Sequence, residues 1–186
     1  KSLFYPPGGL MVWIFILLEL LTFGGTLGAF MIQMASQPEP HKSAAAHLDV
    51  GLATLNTIVL ITSGGLAALG VASYHGGRSK EASRWLFGAA SLGLLFCGLK
   101  LLEYRDKISA GLEFSTNLFF SYYWALTGFH LLHVAIGIVI LLHFALHIRN
   151  GKPFADPDVT VETGAAFWHM CDLIWILVFP IIYLSS

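Results

Sequence analysis

Thr127-Gly-Phe-His130-Leu-Leu-His133-Val-Ala-Ile-Gly137 decides how this sequence is read. Two histidines bounded by two glycines lie inside an apolar run over 117–148, long enough to cross a bilayer. Ionisable side chains at membrane depth are costly and face protein or water, so they mark function or tight assembly. Glu19, Asn56, Lys100, Glu103, His169 and Asp172 also interrupt apolar segments. What the protein does has to be sought in polar groups within the bilayer.

Composition points the same way. Of 186 residues 56% are hydrophobic and 11% charged, with mean hydropathy +0.72. An ordinary soluble domain is roughly 25% charged, so this is an integral membrane protein. The net charge of -1 and the lack of a Lys/Arg cluster give no footprint for nucleic acid. Cys97 and Cys171 fall in apolar segments without CxxC spacing and read as small core residues, not as a disulfide or zinc framework. The sequence begins at Lys1 without Met, so a short piece is expected to precede it, and it shows no signal-peptide pattern.

Five stretches reach the roughly 20 mostly apolar residues a spanning helix needs: 9–34, 49–74, 82–104, 117–148 and 162–184. Pro6-Pro7-Gly8-Gly9 leads into the first, and Ser36-Gln-Pro-Glu-Pro-His-Lys-Ser43 ends it as a polar, Pro-rich loop. His75-Gly-Gly-Arg-Ser-Lys80 makes a tight basic turn. A polar loop with Arg105-Asp-Lys107 and Glu113 follows the third span, and Arg149-Asn-Gly-Lys-Pro-Phe-Ala-Asp-Pro157 stops the fourth. With no long linker and no internal repeat, residues 1–186 are expected to form one all-α bundle of five transmembrane helices. Lys1, Arg78, Lys80, Arg84, Arg149 and Lys152 fall on one side of it, against Lys42, Arg105 and Lys107 on the other. The positive-inside rule then puts the N-terminus in the cytoplasm and the C-terminus in the periplasm. Gly24-Gly25 with Gly28, Ser63-Gly64-Gly65, and Gly128 with Gly137 offer surfaces on which helix backbones can meet.

Glu19 lies about 15 Å into the first span, close to mid-membrane. A carboxyl group there is protonated, paired or in a wet channel, which fits a proton relay, a subunit contact or a hydrogen bond to a neighbouring helix. His130 and His133, at i and i+3, share a helical face; cross-helix hydrogen bonding, proton handling and metal ligation are all open to them. Trp168-His169-Met-Cys-Asp172 sets His169 and Asp172 on one face, where the acid can orient or charge the imidazole. Lys100 and Glu103, in the last turn of the third span, read as an interfacial ion pair with a snorkelling lysine. Asn56-Thr57 read as interhelical hydrogen-bonders. No serine elbow or acid–His–Ser set suggests a hydrolase, and no His pair has a third ligand at zinc spacing. A b-type haem between His143 and His169, which match in depth, and a proton-coupled transporter built on Glu19 and Asp172 are the competing classes. The second usually shows inverted repeats or broken helices, and neither is seen.

Together these residues resemble the cytochrome c oxidase subunit III family of the haem-copper respiratory oxidases. Glu19 in an apolar first helix resembles its buried glutamate, Leu55-Asn56-Thr57-Ile-Val-Leu-Ile-Thr-Ser63 its LNTxxLLxS stretch, and Glu103-Tyr104 its EY helix end. Thr127–Gly137 resembles TGxHxxHVxxG, the most specific element. Glu162-Thr-Gly164 with Trp168-His169-Met-Cys-Asp172-Leu-Ile-Trp175 resembles E-x-G…WHxxDxxW. The resemblance implies a helical subunit with no catalytic centre and no metal of its own, packed on a catalytic subunit I that carries haem and copper. It also implies a role in aerobic respiratory electron transport through phospholipid binding, proton uptake and protection of the catalytic subunit. Glu19, His130, His133, His169 and Asp172 become its buried polar core. The chain departs from the seven-helix form by lacking two N-terminal helices that wall the family's lipid cleft. Its length and its Trp-His-Met pattern resemble bacterial forms of the inner membrane, one of which accompanies nitric oxide reductase.

Overall fold

A computed structural model of the chain describes residues 8–151 and 157–184. Lys1, Pro6, Pro7, Lys152 and Pro153, used above for orientation and for segment boundaries, lie outside the described residues. Those that are described form six helices and no strand: α1 (Leu10–Ser36), α2 (Pro38–Ala45), α3 (Val50–His75), α4 (Ser79–Ser109), α5 (Leu118–Arg149) and α6 (Pro157–Tyr183). All but α2 are long and apolar enough to cross a membrane.

The caps are written locally. Asp49 Oδ1 accepts from Leu52 N at 2.9 Å to start α3, and Asn117 Oδ1 accepts from Phe120 N at 2.9 Å to start α5. Each takes up one of the amide donors that a helix N-terminus leaves unpaired. Two segments differ from the sequence reading. The Pro-rich stretch after α1 is not a loop but the eight-residue helix α2, with Pro38 at a first-turn position where its missing N–H costs nothing. Arg105–Lys107 is likewise not loop, because α4 continues to Ser109. Lys107 Nζ there donates to the His47 carbonyl, tying the end of α4 to the link before α3.

Helices α3 to α6 close a ring in which each contacts the next and α6 returns to α3; α1 leans against α6 and α5 from outside. Lipid gives no hydrophobic drive for helices to associate, so close packing and interhelical hydrogen bonds hold the ring. Trp168, fully buried, fills its centre. A Cβ on Gly93 of α4 or on Gly137 of α5 would come within 2.6 Å of the indole, so both positions need hydrogen. Ser63 Oγ donates to Ala89 O at 2.7 Å and Ser83 Oγ to Ala145 O at 2.8 Å, joining α3 to α4 and α4 to α5. The start of α1 is clasped to α6: Gly8 N donates to Glu162 Oε2 at 3.0 Å, and Thr163 Oγ1 donates to Gly8 O at 2.6 Å. Gly8 has φ +77° and a Cβ there would lie 2.9 Å from Thr163 N, so the clasp requires glycine on both counts.

Candidate functional site: three polar knots inside the bundle

The first knot joins α1 to α5. His133 Nε2 lies 3.5 Å from Glu19 Oε1, with the side chains 6% and 14% exposed. The other ring nitrogen, Nδ1, is 2.8 Å from Phe129 O one turn back. Four phenyl rings surround the imidazole: Phe129 at 4.6 Å between centroids, and Phe23, Phe167 and Phe15 at 6.1–6.3 Å. Glu19 Oε2 is buried without a hydrogen-bond partner among the described residues. An acid–imidazole pair so enclosed is neutral with one proton between its members, and any other count leaves a charge in an apolar box.

His130 belongs elsewhere, although it was read on the same face as His133. Sixty degrees of helix rotation turn it toward α6, where Nε2 lies 3.0 Å from Cys171 O and the ring packs on Trp175 and Phe96. The second knot is built around this contact. Asn56 Nδ2 donates to Phe96 O at 3.3 Å and Trp175 Nε1 to Thr57 Oγ1 at 2.9 Å, linking α3, α4 and α6. One turn along α6, Asp172 Oδ2 lies 3.3 Å from His169 Nδ1, and its carboxylate occupies the space a side chain on Gly64 would need. Gly64 is thus the seat of Asp172.

The third knot was not legible beforehand. Lys100 and Glu103 do pair, Nζ to Oε2 at 3.0 Å, but the side chains are 1% and 3% exposed and nothing snorkels. Because α4 runs two turns past the expected end, Lys100 faces the bundle and not its rim. Tyr123 of α5 and Tyr183 of α6 donate to Glu103 Oε1 at 2.7 and 2.8 Å. The Lys100 ammonium also bonds Tyr183 Oη and sits 5.0–5.3 Å from the ring centroids of Tyr104, Tyr123, Trp175 and Tyr183. Tyr104 Oη donates to Thr127 Oγ1 at 2.9 Å, and Thr127 donates to Tyr123 O. One ion pair therefore gathers three helices, its cation wrapped in ring faces that attract it electrostatically. The available signal was a Lys-Glu pair with tyrosines at the corresponding ends of two later spans.

His143 and His169 are not brought together. His143 is exposed with its ring against Phe144 and His147, whereas His169 lines a recess walled by α1, α3 and α6. No group of three or more His, Cys, Asp or Glu side chains among the described residues is placed to hold a metal ion. Cys171 is buried and Cys97 half-buried, both as free thiols.

Fold and knots define a class: a multi-pass helical membrane protein whose acids are matched to bases inside the bundle. The family profile described as cytochrome c oxidase subunit III matches residues 9–186, and the chain belongs to that family. It is 29% identical over 179 residues to cytochrome c oxidase subunit 3 of Thermostichus vulcanus, covering 96% of this chain and 86% of that one. It is 25% identical to cytochrome bo(3) ubiquinol oxidase subunit 3 of Pseudomonas aeruginosa, covering 94% and 83%. A protein of Aeropyrum pernix named heme-copper oxidase subunit I+III matches at 25% identity over 93% of this chain and 22% of its own. The chain is thus a subunit III of the haem-copper oxidases.

Proposed function

We propose that this chain sits, without redox chemistry of its own, against a catalytic subunit I whose haem and copper reduce the gas. There it supports assembly, proton uptake and the working life of the complex. The bacterial inner membrane, with the N-terminus cytoplasmic, suits the distribution of Lys and Arg in its loops. The relative whose name joins subunits I and III supports the partnership, since one name covers both parts.

The Glu19–His133 pair carries the reading. It lies about 15 Å along α1 from the outer end of the span, within phenyl rings, with one carboxylate oxygen unsatisfied. Such a pair can take a proton at Glu19 Oε2 and keep it from water. Glu19→Gln preserves shape and removes that capacity. In the purified complex the variant should assemble normally, yet lose sustained turnover or proton uptake faster than wild type. Unchanged turnover and pumping would remove the proton role. Measuring consumption of both O2 and NO by the same preparation names the gas.

A further inference from the structure

We propose that the basic recess between the start of α4 and the end of α5 binds a phosphate-bearing anion, presented by the headgroup of an anionic phospholipid. The recess encloses about 630 Å³. Lys80 and Arg84 from the first turns of α4 and Arg149 from the last turn of α5 line it with Ser79, and Phe87 and Ile148 supply an apolar wall. No acid lines it; Glu81, on the same stretch of α4, is held by Arg78 at 2.9 Å. Among the described residues Lys80, Arg84 and Arg149 form no ion pair, so three exposed cations converge on one hollow with nothing to neutralise them. The walls are fixed in place: the buried Ser83 hydroxyl donates to Ala145 O at 2.8 Å and locks α4 to α5 beside the recess.

Depth selects the source of the phosphate. The 31 residues of α4 span about 46 Å, beyond the roughly 30 Å of hydrocarbon, so its first turns stand among headgroups. Trp85, 39% exposed, sits beside Arg84 as side chains of that layer do. Basic pockets between spans at this level take anionic headgroups, with about a fivefold gain in affinity for each cation engaged. Phe87 and Ile148 then meet the glycerol end of the acyl chains, a contact free phosphate lacks.

The test uses the intact complex in detergent, exchanged into nanodiscs of phosphatidylcholine with or without phosphatidylglycerol, and native mass spectrometry of the lipids retained. Wild type should keep phosphatidylglycerol in preference to phosphatidylcholine. Arg84→Gln with Arg149→Gln should lower that retention about thirtyfold at unchanged co-purification with the partner. Inorganic phosphate at millimolar concentration should not displace the lipid. Equal retention of the two lipids by wild type, a comparison that needs no variant, overturns the proposal, as does undiminished retention in the double variant. Displacement by phosphate, or phosphate bound alone, overturns the lipid as source.

Discussion

The Lys100–Glu103 knot makes a prediction that pairs of variants can test. Lys100→Met leaves the Glu103 carboxylate buried without a cation. Glu103→Gln leaves the Lys100 ammonium with ring faces and hydroxyls alone. Both side chains are at most 3% exposed, so solvent screens neither. Breaking a buried pair by removing one partner costs about 3–5 kcal/mol, whereas removing both charges is close to neutral. The geometry says which double variant should be neutral. Both tyrosines donate to the same oxygen, Glu103 Oε1, and a glutamine carbonyl has two lone pairs to receive them. Lys100→Met with Glu103→Gln therefore keeps both tyrosine bonds and loses only the charges. Each single variant should melt about 6–20 °C below wild type at roughly 2–4 °C per kcal/mol for a chain of this size. The double variant should melt above both singles. Circular dichroism of the detergent-solubilised chain follows the transition. A double variant as damaged as the sum of its singles would refute the idea that one coupled network joins α4, α5 and α6.

The glycines around Trp168 predict a contrast within one residue type. Gly93→Ala should cost about 1–3 kcal/mol by overpacking against the indole. Gly25→Ala, where a Cβ meets nothing within 4 Å, should stay within about 0.5 kcal/mol of wild type, and thermal unfolding compares them. His41 of α2, 6% exposed between Phe30 and Phe119, is held below its ordinary pKa of 6.5 by burial. The folded state then binds fewer protons than the unfolded state between the lowered value and 6.5. His41 should cost stability as pH falls through that window and no more below it. An NMR titration of the His41 ring with its midpoint at or above 6.5 would contradict this.

The spans were legible because about 20 apolar residues in a row leave few alternatives, and each observed spanning helix falls within five residues of the range read for it. The misjudged boundaries share one cause. Proline in Pro38-Glu-Pro40 and charge in Arg105-Asp-Lys107 were taken as stops, yet proline suits a first turn and charged residues extend a helix into the headgroups. The polar residues announced themselves by being out of place in apolar runs, but their partners did not. Glu19 to His133, Asp172 to the bare backbone of Gly64, and Glu103 to Tyr123 and Tyr183 are choices of helix arrangement. One sequence holds no record of which spans face each other. The i, i+3 spacing of His130 and His133 even suggested a shared environment, and the packing gives each histidine its own.

The clasp between Gly8 and Glu162 joins positions 154 apart in sequence. At the usual pace of a ribosome, about 5–20 residues per second, the start of α1 waits roughly 8–30 s before its receptor on α6 is made. Of the five spans, the first synthesised is therefore the last to be seated. During that wait its carboxyl group, Glu19, has no imidazole to meet, since His133 also emerges late. A newborn chain passes through this interval each time it is made, and the insertion machinery is what keeps α1 company.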